Sequence, residues 1–240
     1  MAHGQPDFGI YAPKSTVSGL ADLGELAARL FSIDIFDRRG DVVWIDDFGG
    51  GLANWTAYYD AGGAVAISGD RYLINGVSCK LSVPNLATAK TGVYRHNPLP
   101  VYSRIGVEFA FLPADDSKVV RLDMANYDGE FYYPAYVYID IATKIIWHYD
   151  AGGEWSQLAT DVNIRRDGKC WHFMKLVVDL DTSMYVRLIL DNVEYDLTSR
   201  ALRKLESDEA PMLKVDLSLQ TNADTSIMYI NHVINTQNEP

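Results

Sequence analysis

The segment Asn126-Tyr127-Asp128-Gly129-Glu130-Phe131-Tyr132-Tyr133-Pro134 sets tyrosines among amide and carboxylate side chains, and Tyr136 and Tyr138 follow on one face of an expected strand. A sugar offers apolar C–H faces ringed by hydroxyls, so a site that takes one pairs exposed aromatic rings with hydrogen-bonding groups. Tyr127, Tyr132, Tyr133 and Tyr136 in this loop and strand, with Trp147, Tyr149 and Trp155 on an adjoining hairpin, form the best candidate glycan patch. The same rings would equally pack beneath the loop or across strands, as aromatic pairs do. Both readings stand.

Other chemistry is thinly represented. His96, His148, His172 and His232 are scattered, and no Gly-x-Ser-x-Gly turn offers a serine nucleophile. Asp123 and Asp140 fall on different expected strands, and Glu108 has no acidic partner on its own run. The expectation is a chain without catalytic activity and without a cofactor. A formal charge of −11 repels phosphates, and the adjacent basic pairs Arg38-Arg39 and Arg165-Arg166 sit beside aspartates in turns. Nucleic acid is therefore not an expected partner. No stretch approaches the ~20 apolar residues of a membrane span, and Met1-Ala2-His3-Gly4 lacks the basic start and apolar run of a signal peptide. The expectation is a product made in the cytoplasm and not inserted in a membrane. Cys79 and Cys170 fall in or beside expected strands, where cysteine serves as a small hydrophobe; a disulfide between them is left open.

The elements that must position these residues follow from periodicity. The 240 residues, 48% hydrophobic and 22% charged, fit one domain plus an N-terminal extension. Gly4, Pro6, Gly9, Pro13 and Gly19 make residues 1–20 an extended arm. Leu23, Leu26, Ala27 and Leu30 then recur at helical spacing behind an Asp22–Glu25 capping pair, predicting one short amphipathic helix over 22–31. The division is thus 1–40 for arm and helix and 41–240 for the body. Strands are expected at 42–48, 54–59, 64–68, 77–83, 104–112, 118–125, 135–141, 144–149, 171–180, 184–190, 193–197, 213–220 and 226–234, an all-β pattern of two packed antiparallel sheets. Met174, Leu176, Val178 and Leu180 share one face; so do Val186, Leu188 and Leu190, and Val215, Leu217 and Leu219. Asp191-Asn192 marks a tight hairpin turn. Residues 198–212 read as a surface loop or one helical turn.

The opening Val42-Val43-Trp44-Ile45-Asp46-Asp47-Phe48, the strand Ser78-Cys79-Lys80-Leu81-Ser82-Val83, the Trp-led run Trp171-His172-Phe173-Met174-Lys175-Leu176-Val177-Val178-Asp179 and the closing Ile227-Met228-Tyr229-Ile230-Asn231-His232-Val233 resemble, in that order, jelly-roll domains of the concanavalin A-like lectin/glucanase superfamily. That resemblance implies a two-sheet antiparallel jelly-roll sandwich. Its glycosidases carry a Glu-x-Asp-x-x-Glu pattern along one strand, and no such triplet occurs here. The resemblance also implies a structural calcium between Asp46 and Asp47 on the first strand and the residue at Asn231 on the last, where asparagine brings only a neutral oxygen.

The arm carries the leading functional expectation. A low-charge leader with an amphipathic helix, bearing Leu23, Leu26 and Leu30 on its apolar stripe, gains contacts by docking on another subunit. This architecture is similar to virion proteins of tailed bacteriophages, decoration and tail proteins among them. It implies a structural homo-oligomer in a virion or similar surface assembly, with major capsid or tail proteins as partners. The alternative is a carbohydrate-binding module using the aromatic patch.

Overall fold

The computed structural model describes residues 36, 37, 39–114, 117–222 and 225–240. The expected arm and the helix over 22–31, with Leu23, Leu26 and Leu30, lie outside the described residues. The body is the compact unit Arg39–Pro240. Its strands are β1 (Asp41–Asp46), β2 (Thr56–Tyr59), β3 (Ala64–Ser68), β4 (Ser78–Val83), β5 (Ala87–Pro98), β6 (Arg104–Pro113), β7 (Val119–Tyr127), β8 (Phe131–Asp140), β9 (Ile145–Tyr149), β10 (Trp155–Ala159), β11 (His172–Asp179), β12 (Met184–Leu190), β13 (Val193–Asp196), β14 (Leu205–Glu206), β15 (Met212–Asn222) and β16 (Ser226–Gln237).

Two antiparallel sheets result. The first runs β13-β12-β11-β6-β16-β4-β3, with β1 also on β16; the second runs β10-β9-β8-β7-β15-β5-β2, with β14 on β8. Period-two alternation decides which side chains meet between them. Leu213, Val215, Leu217 and Leu219 of β15 are fully buried, opposed by Phe109 and Phe111 of β6 and by Met174 and Leu176 of β11 in one core cluster. The outward residues of β15 are Lys214, Asp216 and Ser218. Among the described residues no helix is long and apolar enough to cross a membrane.

The expected phase of β12 is corrected at Val186. Val177 pairs with Arg187 but Val178 pairs with Tyr185, so a bulge skips Val186 and turns Tyr185 into the core beside Leu188 and Leu190. The buried phenol is satisfied: Tyr185 Oη donates to the Tyr149 carbonyl at 2.8 Å and accepts from Tyr136 N at 3.2 Å. Tyr185→Phe is expected to lower stability by about 1–2 kcal/mol, read as a reduced urea midpoint at unchanged slope.

Three strands depart from expectation. β5 carries Lys90, Thr91, Gly92, Arg95, His96 and Asn97, too polar to read as a strand, yet it pairs with β15 over its length and with β2 on its other side. β10 pairs with β9. Residues 198–212 hold no helix; they contain the isolated bridge Ala201–Met184 and β14. The segment 126–134 is a hairpin rather than a loop, because β7 continues through Tyr127 and β8 starts at Phe131. Asp128 closes this turn, its Oδ1 accepting from Glu130 N at 2.9 Å and Phe131 N at 2.6 Å, while Gly129 takes φ 100°. The Asp191-Asn192 turn stands as expected, with Leu190 paired to Val193 and Asp191 at φ 54°.

Candidate functional site

The outward face of the second sheet gathers aromatic and charged side chains in rows set by register. One row runs Tyr94, Asp216, Asp123 and Tyr136 across β5, β15, β7 and β8. The next runs Tyr58, Gly92, Ser218, Arg121, Tyr138 and Trp147 across β2, β5, β15, β7, β8 and β9. On β5, β7, β8, β9 and β15 these residues alternate with buried ones, so they share one side.

Tyr138 and Trp147 lie nearly parallel with centroids 6.1 Å apart, and Trp155 meets Tyr138 edge-on at 4.6 Å and Tyr149 at 5.4 Å. Tyr136 adjoins Tyr149 at 5.4 Å, Tyr127 stacks on Tyr132 at 4.6 Å, and the Tyr132 and Tyr136 hydroxyls are hydrogen-bonded. The structure thus brings together Tyr127, Tyr132, Tyr136, Trp147 and Trp155. It does not bring Tyr133, which faces the core at 1% exposure with its hydroxyl on Tyr102 and Asp128. Strand alternation between neighbours 132 and 133 is the reason.

Sequence reasoning missed the polar centre of this face. Tyr58 lies across Gly92 and donates its hydroxyl to Asp216 Oδ1 at 2.6 Å. Arg121 Nε donates to both oxygens of Asp123, at 2.6 and 2.8 Å, and its guanidinium sits 5.3 Å from the Tyr136 ring and 5.0 Å from Trp155. Lys214 stands 4.3 Å over Tyr94 and 3.8 Å from Asp216; Lys90 stands 5.3 Å over Tyr58. Burial, followed by the Asp216 carboxylate, drives the Tyr58 phenol well above its ordinary range. Burial likewise lifts Tyr136 to about 12, so both act as neutral hydroxyls near neutral pH. Burial raises Asp123 against the opposing pull of Arg121.

Asp123 and Asp216 are direct cross-strand partners. Such pairs hold their Cβ atoms about 4.5–5.5 Å apart, close enough for two carboxyls to flank one glycosidic bond. The two carboxylates are brought side by side here across strands rather than along one. The outward alternation of Lys214-Asp216-Ser218 and of Arg121-Asp123 is the signal that points to it.

The residues expected around calcium have other duties. Asp46 accepts from Phe48 N at 2.8 Å, Trp55 Nε1 at 3.1 Å and Asn54 Nδ2 at 3.3 Å, and Asp47 accepts from Gly49 N at 2.8 Å. Asn231 turns its Nδ2 to the Val77 carbonyl at 2.7 Å and the Asp47 carbonyl at 3.4 Å. Among the described residues no group of three His, Cys, Asp or Glu stands where it could hold a metal ion. Cys79 and Cys170 are free thiols, and burial pushes Cys79 up to about 12.

No family model matches the chain. No curated protein matches it either. Solved structures do. An endo-β-1,4-glucuronan lyase from Trichoderma reesei superposes with a TM-score of 0.58 at 13% identity, covering 82% of this chain and 96% of that one. A β-glucanase from Bacillus licheniformis gives 0.50 at 11% identity, covering 81% and 97%. A sialidase gives 0.55 at 12% identity over 83% of this chain, which spans only 19% of the sialidase's length. These matches correct the expectation of a non-catalytic chain: the sandwich is one that enzymes acting on polysaccharides use, and its outward face here holds a carboxylate pair. Together with the two-sheet strand order, they make the fold of Arg39–Pro240 a concanavalin A-like jelly roll.

Proposed function

We propose that this chain is a carbohydrate-active jelly-roll protein that receives a polysaccharide across the strands of its second sheet. The observation that carries the reading is the placement of Tyr136, Tyr138, Trp147, Tyr149 and Trp155 on one outward face, beside Asp123, Asp216 and Arg121. Rings supply stacking surfaces for the C–H faces of sugars, and the neighbouring carboxylates, guanidinium and phenols supply hydrogen bonds for their hydroxyls. The glucuronan lyase and β-glucanase that share the fold are named for polysaccharide substrates, which supports the same reading.

The test is affinity electrophoresis of the full chain through gels containing a panel of soluble polysaccharides, with product analysis for cleavage. A retarded wild type whose Trp147→Ala, Trp155→Ala double variant binds roughly tenfold more weakly, about 1 kcal/mol or more for the two rings, is the expected result. A wild type that migrates alike in every gel and cleaves nothing overturns the proposal.

A further inference from the structure

We propose that the polysaccharide is acidic, with carboxylates on its sugar rings, and that Lys90, Lys214 and Arg121 meet those carboxylates. The inference rests on the glycan reading above and deepens it. The chain carries a formal charge of −11, yet cations line this face, each held over an aromatic ring. Lys90 stands over Tyr58, Lys214 over Tyr94, and Arg121 beside Tyr136 and Trp155. Arg203 adds a fourth, 5.8 Å from the Tyr149 ring with its Nη1 donating to Tyr149 Oη at 2.7 Å.

Depth decides what a ligand would touch. Asp123 and Asp216 are 9% and 7% exposed, and each is already held, by Arg121 and by Tyr58. The Lys214 side chain is 31% exposed and that of Arg121 22%. Lys90 makes no ion pair among the described residues. The further carboxylates on this side lie at strand ends. Asp60 accepts from Lys90 N, Asp140 caps Ala142 and Thr143, and Glu209 stands near Tyr127. A chain lying on the face would therefore meet ammonium and guanidinium groups above, with the two central carboxylates beneath them.

The face divides its work. Tyr138 and Trp147 are half-buried rings on β8 and β9 with no cation over them among the described residues, whereas Lys90 and Lys214 stand on β5 and β15. From β5 to β9 is four strand spacings, about 19 Å, so one ligand that uses both halves must be a polymer. A uronic acid suits both halves, since it presents a C–H face for stacking and a ring carboxylate for a charge-assisted hydrogen bond.

Two probes test this on the full chain: a polyglucuronate, and the same polymer after chemical reduction of its carboxyl groups to hydroxymethyl. Tighter binding of the acidic polymer, weakening as salt rises, is expected. The Lys90→Gln, Lys214→Gln double variant should lose about tenfold in affinity for the acidic polymer and keep its affinity for the reduced one. Lys169→Gln, on an exposed turn, is the control and should change neither. Equal binding of the two polymers by the wild type overturns the inference while leaving the glycan reading intact, and this comparison needs no variant to fold. Failure to bind either polymer, or any other in the panel, takes both.

Discussion

Glu239→Ala is expected to lower the unfolding free energy by about 3–5 kcal/mol, because it removes a carboxylate shared by two buried cations. The Glu239 side chain is wholly buried; its Oε1 accepts from Lys175 Nζ at 2.7 Å and Thr236 Oγ1 at 2.5 Å, and its Oε2 accepts from Arg187. Lys175 is 1% exposed and also donates to the Arg39 carbonyl at 3.0 Å, while Arg187 Nη1 donates to the Pro240 carbonyl at 2.7 Å. One carboxylate thus ties β11, β12 and β16 to the residues flanking β1 and following β16. Gly106 makes room for it, since a Cβ there would stand 2.6 Å from Thr236 Oγ1 and 3.1 Å from Glu239 Oε1. Without Glu239 two positive charges in a low-dielectric site lose the carboxylate they share, and that desolvation penalty exceeds the value of any single exposed pair. Urea unfolding of the full chain measures it. A loss below about 1 kcal/mol would show that water or neighbouring groups already stabilise the cations.

This cluster marks a limit of sequence reading. Period two assigned Lys175 and Asp179 to the face opposite Met174, Leu176 and Val178, and that assignment stands. Alternation says which side a lysine takes but not whether that side is wet, and the partner, Glu239, lies 64 positions away in a terminal segment with no strand signal. The core was legible because Leu213 to Leu219 and Met174 to Val178 alternate without interruption. β5 was not, since its outward residues Lys90, Gly92 and His96 carry no strand signature and its pairing with β15 is a tertiary matter. Val186 failed for a different reason: a bulge changes phase, and no residue type announces it.

The site was legible in its rings and hidden in its charges. Tyr127, Tyr132, Tyr136, Trp147 and Trp155 were expected from composition and spacing, and Tyr133 went astray because a hairpin stood where a loop was expected. Asp123 has no acidic partner on its own strand. Its partner Asp216 is 93 positions away and adjacent only through the β7–β15 register. Searching for catalytic carboxylates along one strand overlooks pairs formed between strands, which in an antiparallel sheet are just as close. The assembly expectation rests on Leu23, Leu26 and Leu30, outside the described residues, so the functional reading moves to the face that the sandwich itself builds.

Gly92→Val should impair that face more than removal of any single ring. A Cβ at Gly92 would stand 2.5 Å from Tyr58 Oη, 2.7 Å from its Cζ and 2.8 Å from the Leu217 carbonyl. The tyrosine lies flat on β5 only because position 92 has no side chain. Valine forces Tyr58 off Asp216 and strains the β5–β15 ladder, since the carbonyl, unlike the ring, cannot swing aside. Overpacking of this kind costs about 1–3 kcal/mol. Asp216, freed of a 2.6 Å hydrogen bond, then turns its charge toward the ligand side, which an acidic polymer would oppose. Binding should fall by more than tenfold, with the thermal midpoint lowered by several degrees. Tyr58→Phe separates the two effects: it keeps the ring beneath Lys90 and removes only the hydrogen bond, so it should retain more stability than Gly92→Val while weakening binding in the same direction. If Gly92→Val binds polysaccharide as well as the wild type, the Tyr58–Asp216 seat has no part in recognition, and the ligand lies on the Trp147 side of the sheet alone.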